Sequence, residues 1–232
     1  MERLVLVHGS VTNGVTTWRG QRPLAEHYEL LVLERPGFPP GPPVERVDFE
    51  EHADWVAALL EPGDHLVGHS YGGVIALLAA ARFRMLGSLA LLEPPALDVA
   101  RGAPAVEAFV QGSIALWAEG PSEPEAFLRV FLRAVGSPFD PPSPLPPALE
   151  QGARTLMVER APWEARIPLA ELRALSFPKL VVSGGHLPAF ELVCDVLERE
   201  LGAERAVLPG AGHAVQRAPG FNECLLAFLG SA

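Results

Sequence analysis

The sequence predicts an α/β protein built on a doubly wound, mostly parallel sheet of about six strands, with a block of helices inserted near its middle. Three observations predict it. Short, unalternated runs of Val and Leu recur between helix-length segments, the rhythm of a parallel sheet covered on both faces. A serine set among glycines, in Gly68-His69-Ser70-Tyr71-Gly72-Gly73, stands where one such run passes directly into a helix-like segment. Residues 95–177 separate two of the runs by far more chain than one crossover helix needs.

The strand-like runs are residues 3–7 (RLVLV), 29–33 (ELLVL), 65–68 (HLVG), 88–92 (SLALL), 179–183 (KLVVS) and 205–209 (RAVLP). Between the second and third, Asp48 and Glu51 read as a capping box, Trp55, Val56, Leu59 and Leu60 as one apolar face, and Pro62-Gly63 as the stop. Tyr71 to Arg82, rich in Ala and Leu, is the helix after the third run. Pro188 opens a helix that stops at Gly202, and Pro219 opens one that stops at Gly230.

The long interval holds helix-like pieces carrying Trp117, Phe127, Phe131 and Trp163. Ser122 and Glu125 read as a second capping box. Residues 136–147 hold six prolines in twelve positions, a stiff connector. The expected division is therefore a core of residues 1–94 and 178–232 with an inserted helical cap, residues 95–177.

With 49% apolar and 20% charged residues the chain is of globular composition. Its net charge of −10 argues against nucleic acid and anionic membrane surfaces as partners. Met1-Glu2-Arg3 leads straight into LVLVHG without a basic-then-apolar leader, and the apolar run 66–81 is broken by His69 and three glycines. A soluble, cytoplasmic protein is expected, with a small-molecule substrate as partner and a homodimer left open. Cys194 and Cys224 lie in helix-like stretches without metal-ligand spacing and read as small core residues of a reduced protein.

Gly68-x-Ser70-x-Gly72 fits a strand-to-helix turn so sharp that side chains two residues either side of the serine would collide. Such a turn holds a serine hydroxyl out for attack above a helix N-terminus. An activated serine needs a base, and His213, in the Gly-rich loop PGAGHAV after the last run, is the expected one. His69 is expected to point to the other face, His8 to hold its loop, and His186 to line the pocket or lie in solvent. His27, His52 and His65 read as surface positions. Backbone N–H groups of Tyr71 and Ser10 are expected to hold an oxyanion. Trp117 and Phe131 are expected to wall an apolar pocket.

The segments VHGS…W, GHSYGG and GAGH, in this order and on these strands, resemble the α/β-hydrolase superfamily over residues 1–93 and 179–230, with small capped esterases, methylesterases and carbon–carbon bond hydrolases as the nearest kinds. The resemblance implies a Ser-acid-His triad, no cofactor, and hydrolysis of an ester or related bond through an acyl-enzyme. The same residues would serve a carbon–carbon hydrolase or lyase, and a non-catalytic ligand-binding relic is the rival from another class. Two departures stand out: the family's N-terminal hairpin is missing, and Leu187 in GGHLP occupies the position of the usual triad Asp. Glu93, closing the fourth run in ALLEPPAL, is the candidate acid, because a glutamate ending a buried strand needs a partner. Asp195, one helix further on, is the runner-up. No HExxH, P-loop or carboxylate–histidine cluster suggests a metal or nucleotide.

Overall fold

A computed structural model describes residues 1–230. Among them, six strands form one sheet: β1 (Arg3–Val7), β2 (Glu29–Leu33), β3 (His65–His69), β4 (Ser88–Leu92), β5 (Lys179–Ser183) and β6 (Glu204–Val207). Their order is β2-β1-β3-β4-β5-β6, and every neighbouring pair is parallel. The expected runs are the observed strands to within a residue or two: β3 runs one residue further, to His69, and β6 starts one residue early and stops two short, before Pro209, which has no N–H to extend a ladder.

The inner strands β1, β3, β4 and β5 are buried almost throughout because both their faces are covered, whereas the edge strands β2 and β6 are only partly buried. Val5, Val7, Leu66, Leu89, Leu91 and Val181 enter one core. Their neighbours Leu4, Leu6, Val67, Ala90, Leu92, Leu180 and Val182 enter the other. The period of two thus sends alternate side chains to opposite faces, and in the inner strands neither face is wet. On the first face lie α2 (Phe49–Leu59), α3 (Tyr71–Arg82) and α8 (Pro188–Leu201). On the second, Trp18 and Leu24, which follow the single turn α1 (Gly14–Thr17), pack with α9 (Phe221–Leu229). Helix α3 is buried on all sides from Tyr71 to Ala80, which explains its Ala-rich composition. Gly202, at the end of α8, adopts φ 62, the left-handed stop expected of it.

Several local expectations are corrected. Asp48 caps the Glu50 N–H at 2.8 Å, but Glu51 turns outward to Arg46 and closes no box. The buried stripe of α2 is Phe49, His52, Ala53 and Val56, at i, i+3, i+4 and i+7, while Leu59 is exposed. Ser122 lies too early to act as a cap: the helix begins at Pro124, and Glu125 pairs with Arg129. His52 and His65 are buried, held by Arg35 and by the Ser88 hydroxyl; His27 is exposed as expected. Both cysteines are free thiols, Cys194 buried and Cys224 half-buried.

Between β4 and β5 the chain forms α4 (Pro104–Glu119), α5 (Pro124–Ala134), α6 (Pro147–Met157) and α7 (Leu169–Arg173). Leu116, Phe127, Leu128, Leu132, Ala153 and Leu156 form a separate apolar cluster there, which the proline-rich stretch joins through Leu145 and Phe139. Val11, from the loop after β1, is the cluster's one buried member from outside this segment. No helix among the described residues is long and apolar enough to cross a membrane.

Candidate active site

Ser70 sits between β3 and α3 with φ 53 and ψ −126, a conformation that costs a non-glycine residue about 1–3 kcal/mol. The surroundings impose it. The Ser70 N–H is held by the Leu92 carbonyl of β4 at 2.8 Å, and the Ser70 carbonyl accepts from Gly73 N–H at 2.7 Å. A Cβ on Gly68 would come within 2.4 Å of the Gly72 carbonyl oxygen, and one on Gly72 within 2.4 Å of the His8 carbonyl oxygen. Gly68 is thus required by the close return of α3 over β3, and Gly72 by the passage of α3 over the end of β1.

The loops after β3, β4 and β6 bring three side chains together at one edge of the sheet. His213 Nε2 lies 2.8 Å from Ser70 Oγ, and His213 Nδ1 lies 2.7 Å from Glu93 Oε2. Glu93 directly follows β4, is fully buried, and has φ 45. Its other oxygen, Oε1, accepts from Gly184 N–H at 2.6 Å. Burial raises the Glu93 carboxyl to about 7, opposed by the Gly184 hydrogen bond and the neighbouring His186. Burial lowers His213 to about 3, so the ring is neutral at rest. With Nδ1–H donated to the carboxylate, Nε2 is free to accept the serine proton. The arrangement can deprotonate a hydroxyl and stabilise the resulting imidazolium.

Two other histidines stand against this group. His69 donates from Nε2 to the His213 carbonyl at 2.8 Å; it also lines the larger cavity, so it does not turn away from the site. His186 lines neither of the two cavities described below: it stands behind Glu93, Nδ1 3.2 Å from Oε1 and Nε2 3.0 Å from the Val135 carbonyl. Glu93, His186 and His213 each bring a donor atom within 4.8 Å of the others, a set able to hold a divalent metal. Asp195 is remote from this group, mostly exposed and paired with Arg205. Leu187 is simply the residue before α8.

Ser10 lies in the loop after β1, against Ser70: a Cβ on neighbouring Gly9 would come within 2.8 Å of Ser70 Cβ. Ser10 Oγ donates to Glu159 Oε2. Tyr71 N–H, in the first turn of α3, has no acceptor within its own helix. Two cavities meet at Ser70. A wide one of about 700 Å³ runs past Phe131, Pro138 and Arg217. A narrow one of about 40 Å³ is walled by Phe109, Leu116, Trp117, Trp163 and Phe190, and reaches Ser10, Tyr71 and Glu159. Phe131 borders both.

The sequence model described as Alpha/beta hydrolase family matches residues 4–221. The chain belongs to that family. This hydrolase is 29% identical over 247 residues to the dihydrolipoyllysine-residue acetyltransferase component of the acetoin cleaving system of Pseudomonas putida, a match covering 97% of this chain and 63% of that protein. Over 76 residues, 32% of this chain, it is 40% identical to pimeloyl-[acyl-carrier protein] methyl ester esterase of Aeromonas salmonicida, of which 30% is covered. It therefore spans less than two thirds of these curated relatives. The structure of an alpha/beta hydrolase from Sphaerobacter thermophilus is similar with a TM-score of 0.71 at 26% identity, covering 98% of this chain and 92% of that one.

Sequence reasoning did not find Arg35, Glu159 or the place of His186 behind Glu93. Arg35 had a faint signal, a charged residue held within the short apolar and proline-rich stretch LERPGFPP. Glu159 had none, because its partners are 124 and 149 residues away.

Proposed function

We propose that this hydrolase cleaves esters in which one side of the scissile bond is short and apolar and the other is bulky, using Ser70, His213 and Glu93 as a triad. The observation that carries the reading is the unbroken line of hydrogen bonds from Ser70 Oγ through His213 to Glu93 at the meeting point of two unequal cavities. Ser70 attacks the carbonyl while His213 Nε2 takes its proton; His213 then protonates the leaving alcohol. Water, activated by the same imidazole, releases the acid from the acyl-enzyme. Glu93 holds the ring in its Nδ1–H tautomer, and N–H groups of Tyr71 and Ser10 receive the oxyanion. Residues 95–177 act as the cap that walls both cavities.

The cavity volumes support this substrate class. A water-sized probe occupies about 10–15 Å³ in a cavity, so the narrow pocket takes about three or four heavy atoms. Its walls exclude long chains, and the wide cavity takes the larger moiety. The likeness of part of the chain to a methyl ester esterase supports the ester as the bond.

The test is hydrolysis of p-nitrophenyl esters from acetate to decanoate, and of methyl decanoate, by wild type and Ser70→Ala. The nitrophenyl ring needs the wide cavity, so acetate and propionate should turn over and decanoate should not. Methyl decanoate, with its small side reversed, should be cleaved. Ser70→Ala should be inactive on all. Wild type that acts on none of them, or Ser70→Ala that retains turnover, refutes the proposal.

A further inference from the structure

The loop that carries Ser10 is strained, and the restraint on it comes from the inserted segment. Val11 has φ 79, and Thr12 N–H donates to the Ser10 carbonyl at 3.0 Å, closing a three-residue turn. A turn of this hand is rare, and for a β-branched residue positive φ is a genuine outlier. Such a conformation persists only where the surroundings over-determine it.

Two contacts from the inserted segment do so. Gly152, on α6, meets the Val11 backbone so closely that a Cβ would come within 1.8 Å of the Val11 carbonyl oxygen. Glu159, just after α6, accepts the Ser10 hydroxyl on Oε2. Its other oxygen, Oε1, accepts from Arg35 Nη2 at 2.8 Å, and both side chains are buried.

Arg35 belongs to the core and is itself tied to the same loop. Its Nη1 donates to the Gly9 carbonyl at 2.9 Å and its Nε to His52 Nδ1 at 3.2 Å. Its backbone N–H donates to His8 Nε2 at 3.1 Å, which leaves His8 Nδ1–H to donate to the Gly9 carbonyl at 2.8 Å. The guanidinium also lies 4.8 Å from the ring centroid of Tyr71, whose hydroxyl donates to the Arg160 carbonyl at 2.9 Å. Short backbone bonds, Val47 N–H to the Val158 carbonyl and Arg160 N–H to the Val47 carbonyl, seat Glu159 against the core. Every polar atom of the Glu159 carboxylate is thereby committed, one oxygen to the core and one to Ser10.

We propose that Glu159 is a positioning residue: by gripping the Ser10 hydroxyl from the inserted segment, it holds the strained turn so that the loop's backbone N–H faces the oxyanion formed at Ser70. The proposal rests on the serine-hydrolase reading above. Glu159 does not touch the reacting atoms; it acts through Ser10. The inserted segment is then a working part of the oxyanion site and not only a cover. Without the grip, Ser10–Thr12 relaxes toward an unstrained turn and the N–H moves off its target. Outright removal of an oxyanion donor costs about 10²–10³ in kcat, and its misplacement costs less.

The test compares wild type, Ser10→Ala, Glu159→Ala and the double variant; Glu159→Gln is unsuitable, because its amide N–H would donate to Ser10 Oγ and keep the grip. Ser10→Ala deletes only the grip, leaving the Arg35–Glu159 pair and the backbone N–H in place. Each single variant should lose about tenfold in kcat with KM within twofold, and the double variant should lose about tenfold, not a hundredfold. Affinity for a trifluoromethyl ketone should fall in step with kcat, while affinity for the carboxylic acid product should not. Labelling of Ser70 by a fluorophosphonate, read by intact mass, should slow to the same degree, and amide exchange should quicken in residues 8–13. Additive losses, losses confined to KM, or variants that turn over and label as fast as wild type overturn the proposal. Wild type that is neither labelled nor active overturns the serine-hydrolase reading and this inference with it.

Discussion

Replacing Glu93 by Gln tests the relay at its least expected member. The two carboxylate oxygens have different neighbours: Oε1 receives the Gly184 N–H at 2.6 Å, and Oε2 receives His213 Nδ1–H at 2.7 Å. A glutamine amide has one acceptor and one donor. The Gly184 N–H belongs to a fixed backbone and can meet only the oxygen, so the NH₂ group is forced to face His213. Nδ1 must then be the acceptor, Nε2 carries the proton, and the ring presents a donor to Ser70 where a base is required. An imposed wrong tautomer of this kind costs up to about 10⁴ in kcat, or about 5.5 kcal/mol of transition-state stabilisation. The substitution does not threaten the fold. Because the Glu93 pKa is raised from 4.5 to about 7, the folded protein holds that proton more tightly than the unfolded chain. The associated stability is complete below 4.5 and is lost as pH rises through 7, about 3 kcal/mol in all. At pH 8 Gln removes that cost. Turnover of p-nitrophenyl acetate and thermal melting at pH 8 should therefore show a loss of three to four orders of magnitude in kcat with Tm unchanged or higher. A Glu93→Gln enzyme within tenfold of wild type would refute the reasoning, since His213 would then not depend on Glu93 for its tautomer.

Three further outcomes follow from the same geometry. The pH profile of kcat/KM should climb with a single proton through about 7 and level above it, because ionised Glu93 is needed while burial already keeps His213 neutral down to about 3; a limb that stays flat from pH 5 to 8 contradicts this. Trp163→Ala opens the narrow pocket beside Trp117, with which Trp163 stacks edge to face at 5.6 Å. Its preferred p-nitrophenyl ester should lengthen from acetate or propionate to hexanoate or beyond, and an unchanged optimum would place the acyl chain elsewhere. Gly72→Ala drives a methyl group into the Val7 and His8 carbonyl oxygens, at 2.5 and 2.4 Å, neither of which can withdraw. Urea unfolding should show a loss of about 3 kcal/mol, the upper range for overpacking, and a loss under 1 kcal/mol would mean that the approach of α3 to β1 is not tight.

What the sequence determined by itself is whatever depends on near neighbours. Apolar runs such as RLVLV and KLVVS declare strands buried on both faces, since no wet face would tolerate them. Gly68 and Gly72 mark the turn at Ser70, although the collisions they avoid are not the local one the motif suggests: Gly68 is pressed by the Gly72 carbonyl four residues on, and Gly72 by the Val7 and His8 carbonyls from a distant part of the chain. Glu93 was legible for a related reason: a carboxylate at the end of a buried strand is costly unless something receives it. Capping proved less legible, because Glu51 and Glu125 found arginines to pair with, and the buried stripe of α2 runs through Phe49, His52, Ala53 and Val56 and leaves Leu59 exposed. Only the tertiary structure decided which histidine stands behind Glu93, how wide each side of the site is, and what holds Ser10. Glu159 reaches Ser10 across 149 residues and Arg35 across 124. Neither contact leaves a periodicity, a spacing or a motif in the chain. Such pairs exist because burial of one charge demands its partner, and the partner is chosen by how the inserted helices settle on the sheet.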